Sequence, residues 1–496
     1  PLTLVSGMSG IMFRQLGWIV SIIMIVSLLV AIALVPMMCS RMLTNENKSS
    51  KLYTILFTPI DKSLNWISEV YAKIINWAVR HRKTVIFGAF GIFVLVVGLL
   101  GPHIKSEYFP HADQGRLTVS IELNAGTSQE VTGQFAENLY QRLVKEVPEM
   151  KVCSYTFGQA DTDNAWASIQ TNGSNVISMN INLGSMELRK RSASQIADII
   201  RTDLREYPEV HKATVTEGQG GTGGAATVDV EIYGYDFETT DMVAQEIQTK
   251  LLANPAFAQV TLSRDQYTPE YQVDFDRTKL AVNGLNSTTA AAAVSAAMSG
   301  TVGSYYREEG EEYDIRVRYA PQFRTSVEDI ENIIVYTPAG NAIRVKDLGN
   351  VIETVVPPMI ERKNRQRMIT VSGVIEDGYA MSDGVAAARE AIDNTSIPSE
   401  LSAVIAGDYE DQQDMFGALL TLMVLIVIMV YMVMASQFES LMSPFVIMFS
   451  LPFAFVGVIL GLWLTDTALG VMAMIGILIL IGIVVKNGIV LIDYLI

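Results

Sequence analysis

Lys486 lies within "GIVVKNGIVLIDYLI", in an apolar run from Leu469 to Ile496 whose one other charged residue is Asp493. An ammonium at the centre of a bilayer costs about 2.5–3.5 kcal/mol on insertion scales. It can reach the headgroups by snorkelling, lose its proton, or pair with an acid inside a helix bundle. The other four long apolar stretches contain no Asp or Glu. Asp493, seven residues on, is roughly 10 Å away along the same helix, too far for a direct pair. A buried Lys486 therefore needs a carboxylate from outside this sequence. Such a pair in a membrane suits proton relay, because burial and pairing bring both groups toward their working range. Residue types alone leave relay and snorkelling open.

Other chemistries find little support. Cys39 and Cys153 are the two cysteines, and the topology below puts them on opposite sides of the membrane, so no disulfide joins them. The four histidines show no paired spacing for a metal. Gly218, Gly220 and Gly223 formally match a dinucleotide motif, but a strand follows them where a helix is needed, which reads as a flexible connector. No nucleophile–base motif and no Walker sequence occurs, so the chain reads as a non-enzyme that needs no cofactor and takes its energy from something other than ATP.

Five apolar stretches are long enough to cross a bilayer: Leu16–Ser40, Thr84–Gly101, Met415–Ala435, Pro444–Thr465 and Leu469–Ile496. Half of the residues are hydrophobic, and the mean hydropathy is +0.29. The chain starts on Pro1 and stops inside the fifth stretch, which reads as an internal piece of a larger membrane protein. Between Arg41 and Lys83, eight basic residues face three acidic ones, so this connection is expected in the cytoplasm. Within it Ile60, Leu64, Ile67, Tyr71, Ile74 and Ala78 recur at helical spacing beside Trp66 and Trp77. That pattern suits a helix lying in the membrane interface or packed on other protein. The region 102–414 is then extracytoplasmic, with 26 basic and 46 acidic residues. Its strong negative balance argues against nucleic acid as a partner.

That outer region alternates strands and helices. "RLTVSIEL", a helix over Ser128–Val147 and "KVCSYTF" are followed by "NVISMNINL", a helix over Ser192–Tyr207 and "KATVTE". The order is that of a ferredoxin-like split βαβ unit. The pattern recurs with "TVDVEIYG", a helix over Thr239–Ala253 and "AQVTLSR". A further unit runs from "YQVDFD" through Ser287–Met298 to "EYDIRVRY" and "IIVYT", and "RMITVSGVI", Ser382–Asn394 and "LSAVIAG" read as a strand-helix-strand that completes an earlier unit. The expected fold is thus a polytopic α-helical membrane protein carrying a large outer α+β region of repeated βαβ modules.

Several separate stretches resemble the resistance–nodulation–division transporters, most closely their hydrophobe/amphiphile efflux branch. They are "GIMFRQLGWIVSIIMIVSLLVAIALVPMMCSRM" with Pro36, "SEYFPHADQGRLTVSIELNAGTS", "PEYQVDFDRTKLAVNGLN", "YMVMASQFESLMSPFVIMFSLPFAFVGVILGLWLT" and "LIGIVVKNGIVLIDY". The resemblance covers essentially the whole chain and implies a piece running from about the sixth to the tenth span of a twelve-span protomer. It implies that Lys486 is the relay lysine, paired with aspartates of an absent fourth span, with Asn487 beside it in the relay. It implies a porter region over 105–267 and 361–408 and a docking module over about 268–351.

A substrate path is implied beside the loop Gly158–Ser174, with Tyr155, Phe157, Trp166 and Met179 as its candidate lining; that loop is polar and acidic, unlike the phenylalanine- and glycine-rich loop of the best-known drug pumps. Cys153, Tyr155 and Phe157 share one strand face, as do Ile177, Met179 and Ile181, and such a face serves equally as the module's own core. The implied function is proton-driven export of hydrophobic or amphiphilic compounds from a bacterial inner membrane. The implied partners are membrane lipid, two further copies in a homotrimer, a periplasmic adaptor and an outer-membrane channel. The alternatives are a heavy-metal exporter and a non-pumping receptor or protein-export accessory.

Overall fold

The computed structural model describes residues 7–42, 51–109, 113–158, 173–218, 226–265, 267–357 and 359–495. Among them, five helical stretches are long and apolar enough to cross a membrane. The first comprises α1 (Gly7–Leu29), a π-helical turn (Val30–Leu34) and α2 (Val35–Met42). The wide turn sits just before Pro36, whose ring would strike the carbonyl one turn back and which has no N–H to donate. Helix α3 (Lys51–Arg80) carries the amphipathic stripe, and α4 (Arg82–Leu99) follows it after a break at His81. Leu64, Trp66, Ile67, Tyr71, Ile74 and Trp77 on α3 are all more than half exposed, so no described element covers the stripe.

The first α+β module runs β1 (Arg116–Leu123), α5 (Gln129–Glu146), β2 (Val152–Gly158), β3 (Gly173–Asn182), α6 (Ala193–Leu204) and β4 (Val210–Glu217). Its antiparallel sheet has the order β2-β3-β1-β4. Alternation along β1 sends Leu117, Val119, Ile121 and Leu123 into a core with Ala136, Leu139 and Leu143 of α5 and Ile196 and Ile200 of α6. Both helices start where a serine accepts a backbone N–H. Ser128 takes that of Val131, and Ser192 forms a reciprocal capping box with Gln195.

The second module is split in sequence. Its first half is β5 (Thr227–Tyr233), α7 (Phe237–Leu252) and β6 (Phe257–Leu262). A third module then intervenes: β7 (Thr268–Phe275), α8 (Arg277–Val282), α9 (Ser287–Met298), β8 (Thr301–Glu308), β9 (Glu311–Val317), α10 (Val327–Glu331), β10 (Ile334–Tyr336), β11 (Ala342–Arg344), α11 (Val345–Leu348) and β12 (Gly349–Val356). Strands β7 and β12 pair along their whole length as a two-stranded stem, and a separate small core around Leu280, Leu285, Val335 and Leu348 sits beyond it. The hairpin β8–β9 is exposed at every residue.

The chain then returns through β13 (Glu361–Lys363), β14 (Gln366–Ile375), α12 (Met381–Asp393) and β15 (Ser402–Ala406). Strand β14 enters between β6 and β5, and β15 closes the other edge of β5. The expected completion of an earlier unit across an insertion is therefore the arrangement found.

Helix α13 (Asp408–Phe438) begins directly after this sheet and runs unbroken into the membrane region. The span expected over Pro444–Thr465 is found as one membrane-length stretch, Met442–Leu464, in which a short break separates α14 (Met442–Met448) from α15 (Leu451–Leu464). Pro452, in the first turn of α15, cannot continue a preceding helix, so the chain turns at Phe449–Ser450. The last helix is α16 (Val471–Leu495).

Candidate functional site

Lys486 lies on α16, fifteen residues after its first residue Val471, or roughly 22 Å along the axis. The N-terminal end of α16 is fixed by backbone pairing with the segment that leaves α4. Leu469 N–H donates to Lys105 O at 2.8 Å, and Val471 N–H donates to Tyr108 O at 3.2 Å. Lys486 therefore lies in the second half of the membrane-length stretch Val471–Leu491. The side chain borders an apolar groove of about 420 Å³ between α13 and α16, lined by Ile426, Met429, Val430, Val433 and Met434 on one side and Gly482, Val485, Ile489 and Val490 on the other. Among the described residues no acid lines this groove; Lys486 borders it, and Asn487, also exposed, is not part of its lining. Beneath them Met434, Ile447, Leu451, Ile481 and Val485 form a closed apolar cluster.

Above the groove, the head of α13 is fastened to the second module. Lys363 on β13 donates to both carboxylate oxygens of Glu231 on β5, each at 3.1 Å, and to Glu410 on α13 at 2.6 Å. Asp408 accepts from the backbone N–H and the hydroxyl of Thr227, each at 3.0 Å. Gln412, buried, donates to Ser106 Oγ at 2.9 Å, and Ser106 in turn bonds Ser382 at the start of α12. Acids in the first turn of α13 also complement the positive end of the helix dipole. None of these joint residues was expected from the sequence. Their signal was legible as four acids, Asp408, Glu410, Asp411 and Asp414, stacked at the entrance of an apolar helix.

The proposed path residues in the first module separate. Met179 is fully buried, packed among Val119, Ile121 and Ile177, and serves as core. Tyr155 and Phe157 occupy the edge strand β2 on the same helix-covered face. Tyr155 is half-buried against Tyr140 of α5, its hydroxyl donating to Glu137, and Phe157 is 40% exposed. Phe157 lies over Gly133, where an added Cβ would meet its ring at 2.8 Å. Trp166 and most of the loop Gly158–Ser174 lie outside the described residues, as does the connector 219–225. The uncovered face of the same sheet is polar, with Thr118, Ser154, Asn180 and Asn182 around a shallow pocket of about 310 Å³.

A second cavity, of about 400 Å³, opens where the second module meets the membrane helices. Lys105, Glu107, Glu376, Asp377, Trp463 and Asp466 are among its lining. Burial, with Asp198 nearby, holds the Glu376 carboxyl above the usual range.

Membrane-length helices, an apolar groove bordered by one lysine, and a split α+β module joined to a membrane-length helix together define a polytopic membrane-protein fold. The chain matches the model of the AcrB/AcrD/AcrF family over residues 1–496 and belongs to that family, within the resistance–nodulation–division transporters. Family members are transporters rather than enzymes. It is 25% identical over 499 residues to "Multidrug resistance protein MdtC" of Photorhabdus laumondii, covering 100% of this chain and 46% of that protein. It is also 25% identical to the protein of the same name in Yersinia pestis, covering 96% and 45%. The chain thus spans about half the length of these relatives. In fold it is similar to the crystal structure of a heavy metal efflux pump, with a TM-score of 0.69 at 23% identity, covering 89% of this chain and 46% of that one.

Proposed function

We propose that this chain is part of a proton-driven exporter of hydrophobic or amphiphilic compounds in a bacterial inner membrane, with Lys486 in the proton path and Asn487 beside it. The observation that carries the reading is a lysine well inside a spanning helix, bordering an apolar groove that offers it no acid. A helix seated there with a carboxylate would complete a pair whose proton can be exchanged, as an uncompensated ammonium would otherwise cost about 2.5–3.5 kcal/mol. Membership of a transporter family and likeness to multidrug resistance proteins support export. The strand order β2-β3-β1-β4, repeated in the second module as β6-β14-β5-β15, supports reading both as ferredoxin-like porter units. The stem β7–β12 and what lies beyond it are then the docking module. It would contact neighbouring copies in a trimer and a channel partner bridged by an adaptor. Helix α3, with its uncovered stripe and flanking Lys and Arg, is read as lying on the cytoplasmic membrane surface.

Heavy-metal export is the second reading, favoured by the fold likeness to a heavy metal efflux pump. One experiment separates the readings: the complete gene in a pump-deficient bacterium, comparing wild type with Lys486→Ala for dye accumulation and for zinc and copper tolerance at matched membrane abundance. The expected result is dye export by wild type and loss of it in the variant. Metal tolerance alone would move the assignment to the second reading. No export of either kind would favour a receptor or protein-export accessory.

A further inference from the structure

The joint between Lys363 and the head of α13 has the geometry of a transmission element. Glu231 on β5 is 9% exposed, whereas Glu410 on α13 is 50% exposed, and the Lys363 ammonium touches both. One cation therefore spans the boundary between a sheet of the outer module and a membrane helix. Bonding to Glu410 and Glu231 holds its pKa above the usual lysine range, so it stays charged. Tyr233, Asp229 and Asp411 surround the joint, and burial holds the Asp229 carboxyl above its usual range. Without Lys363 the buried Glu231 would face Glu410 with no cation between them, and like charges in a half-buried site repel.

Helix α13 is rigid enough to carry a displacement. It is unbroken over 31 residues, roughly 46 Å, and its lower half buries Met434 in the cluster that holds Ile481 and Val485 of α16, one residue from Lys486. A tilt imposed at Glu410 is thus delivered at the wall of the lysine groove through packed side chains.

We propose that Lys363 is a positioning residue for transport, clamping the second module to α13 so that the outer module and the Lys486 groove move as one. This rests on the proton-driven export reading above, in which both ends must change together.

The test uses the full-length transporter purified into liposomes under an imposed pH gradient, following dye transport and proton flux. Glu410→Gln cuts the joint yet leaves the Lys363–Glu231 pair intact, so it should keep wild-type abundance and melting temperature. Its maximal rate should fall about tenfold with the half-saturating dye concentration unchanged, because binding is separate from the coupled motion. Lys363→Arg should retain transport, and Lys363→Met should behave like Glu410→Gln or worse. Glu410→Gln at the wild-type maximal rate would overturn the clamp. So would a Glu410→Gln defect that appears only in dye affinity or only as lost protein. Wild type that moves dye without moving protons would instead overturn the proton-driven reading, and the clamp with it.

Discussion

A lysine with no acid beside it and a methionine with no solvent beside it show how little a residue's type settles by itself. Lys486 and Met179 both lie in apolar surroundings. The first keeps an open groove and the second is closed in by Val119, Ile121 and Ile177. Period-two alternation puts Met179 on a face with Ile177 and Ile181, but only the helices α5 and α6, folded onto that face, decide that it is core. Met179→Ala should therefore cost about 2–4 kcal/mol through lost transfer energy and the cavity left behind. It should appear as a lower melting temperature of the purified protein with unaltered dye affinity. A change in affinity without loss of stability would return Met179 to the substrate path. Tyr155→Phe is the contrasting case. Its hydroxyl bonds an exposed carboxylate, Glu137, and the ring stays, so the melting temperature should hardly move.

Within the first module, side-chain links between elements set how the helices sit. Arg191, just before α6, meets the carboxylate of Glu149 with two nitrogens and donates to the Glu146 carbonyl at 3.1 Å, tying the start of α6 to the end of α5. That bonding holds the Glu149 carboxyl down at about 2, against an ordinary value of 4.5. A lowered carboxyl stabilises the fold above its unfolded pKa, and the contribution drains away as pH falls from about 4.5 toward about 2. The wild type should therefore lose stability across that window more steeply than Glu149→Gln, which titrates nothing there. Melting curves at a series of pH values check this, and parallel slopes would count against it. Sequence pattern made most such elements legible: β1, α5 and α6 follow from 2.0 and 3.6 repeats, and the spans from the length of their apolar runs. It could not show that Arg191 reaches Glu149, nor that Lys363 and Glu410 meet across 47 residues, because ion pairs between elements leave no periodic trace. The local break at Phe449–Ser450 within the stretch Met442–Leu464 was not legible, since Pro452 is compatible with both a kink and a stop.

At the scale of the molecule, the third module is inserted within the second, and this predicts which parts stand alone. The third module joins the rest through the stem β7–β12, whose inner ends are tied where Asp276 N–H donates to Leu348 O at 3.0 Å. Its core around Leu280 and Val335 is separate from the core of the second module around Val230 and Val371. The sheet β6-β14-β5-β15 closes without it, because β14 already finds both neighbours. Replacing residues 277–347 by about three glycines keeps the stem's ends in reach, and closing so short a loop adds little entropy. The shortened protein should still insert, and its second module should resist trypsin as the wild type does. If this module makes the contacts between copies, the same protein should elute as a single copy from gel filtration where wild type elutes as an oligomer. Trypsin cleavage spreading into β5 or β14 would show that the modules fold only together. An unchanged oligomer would place the contacts between copies elsewhere, with the membrane helices as the surface then left to make them.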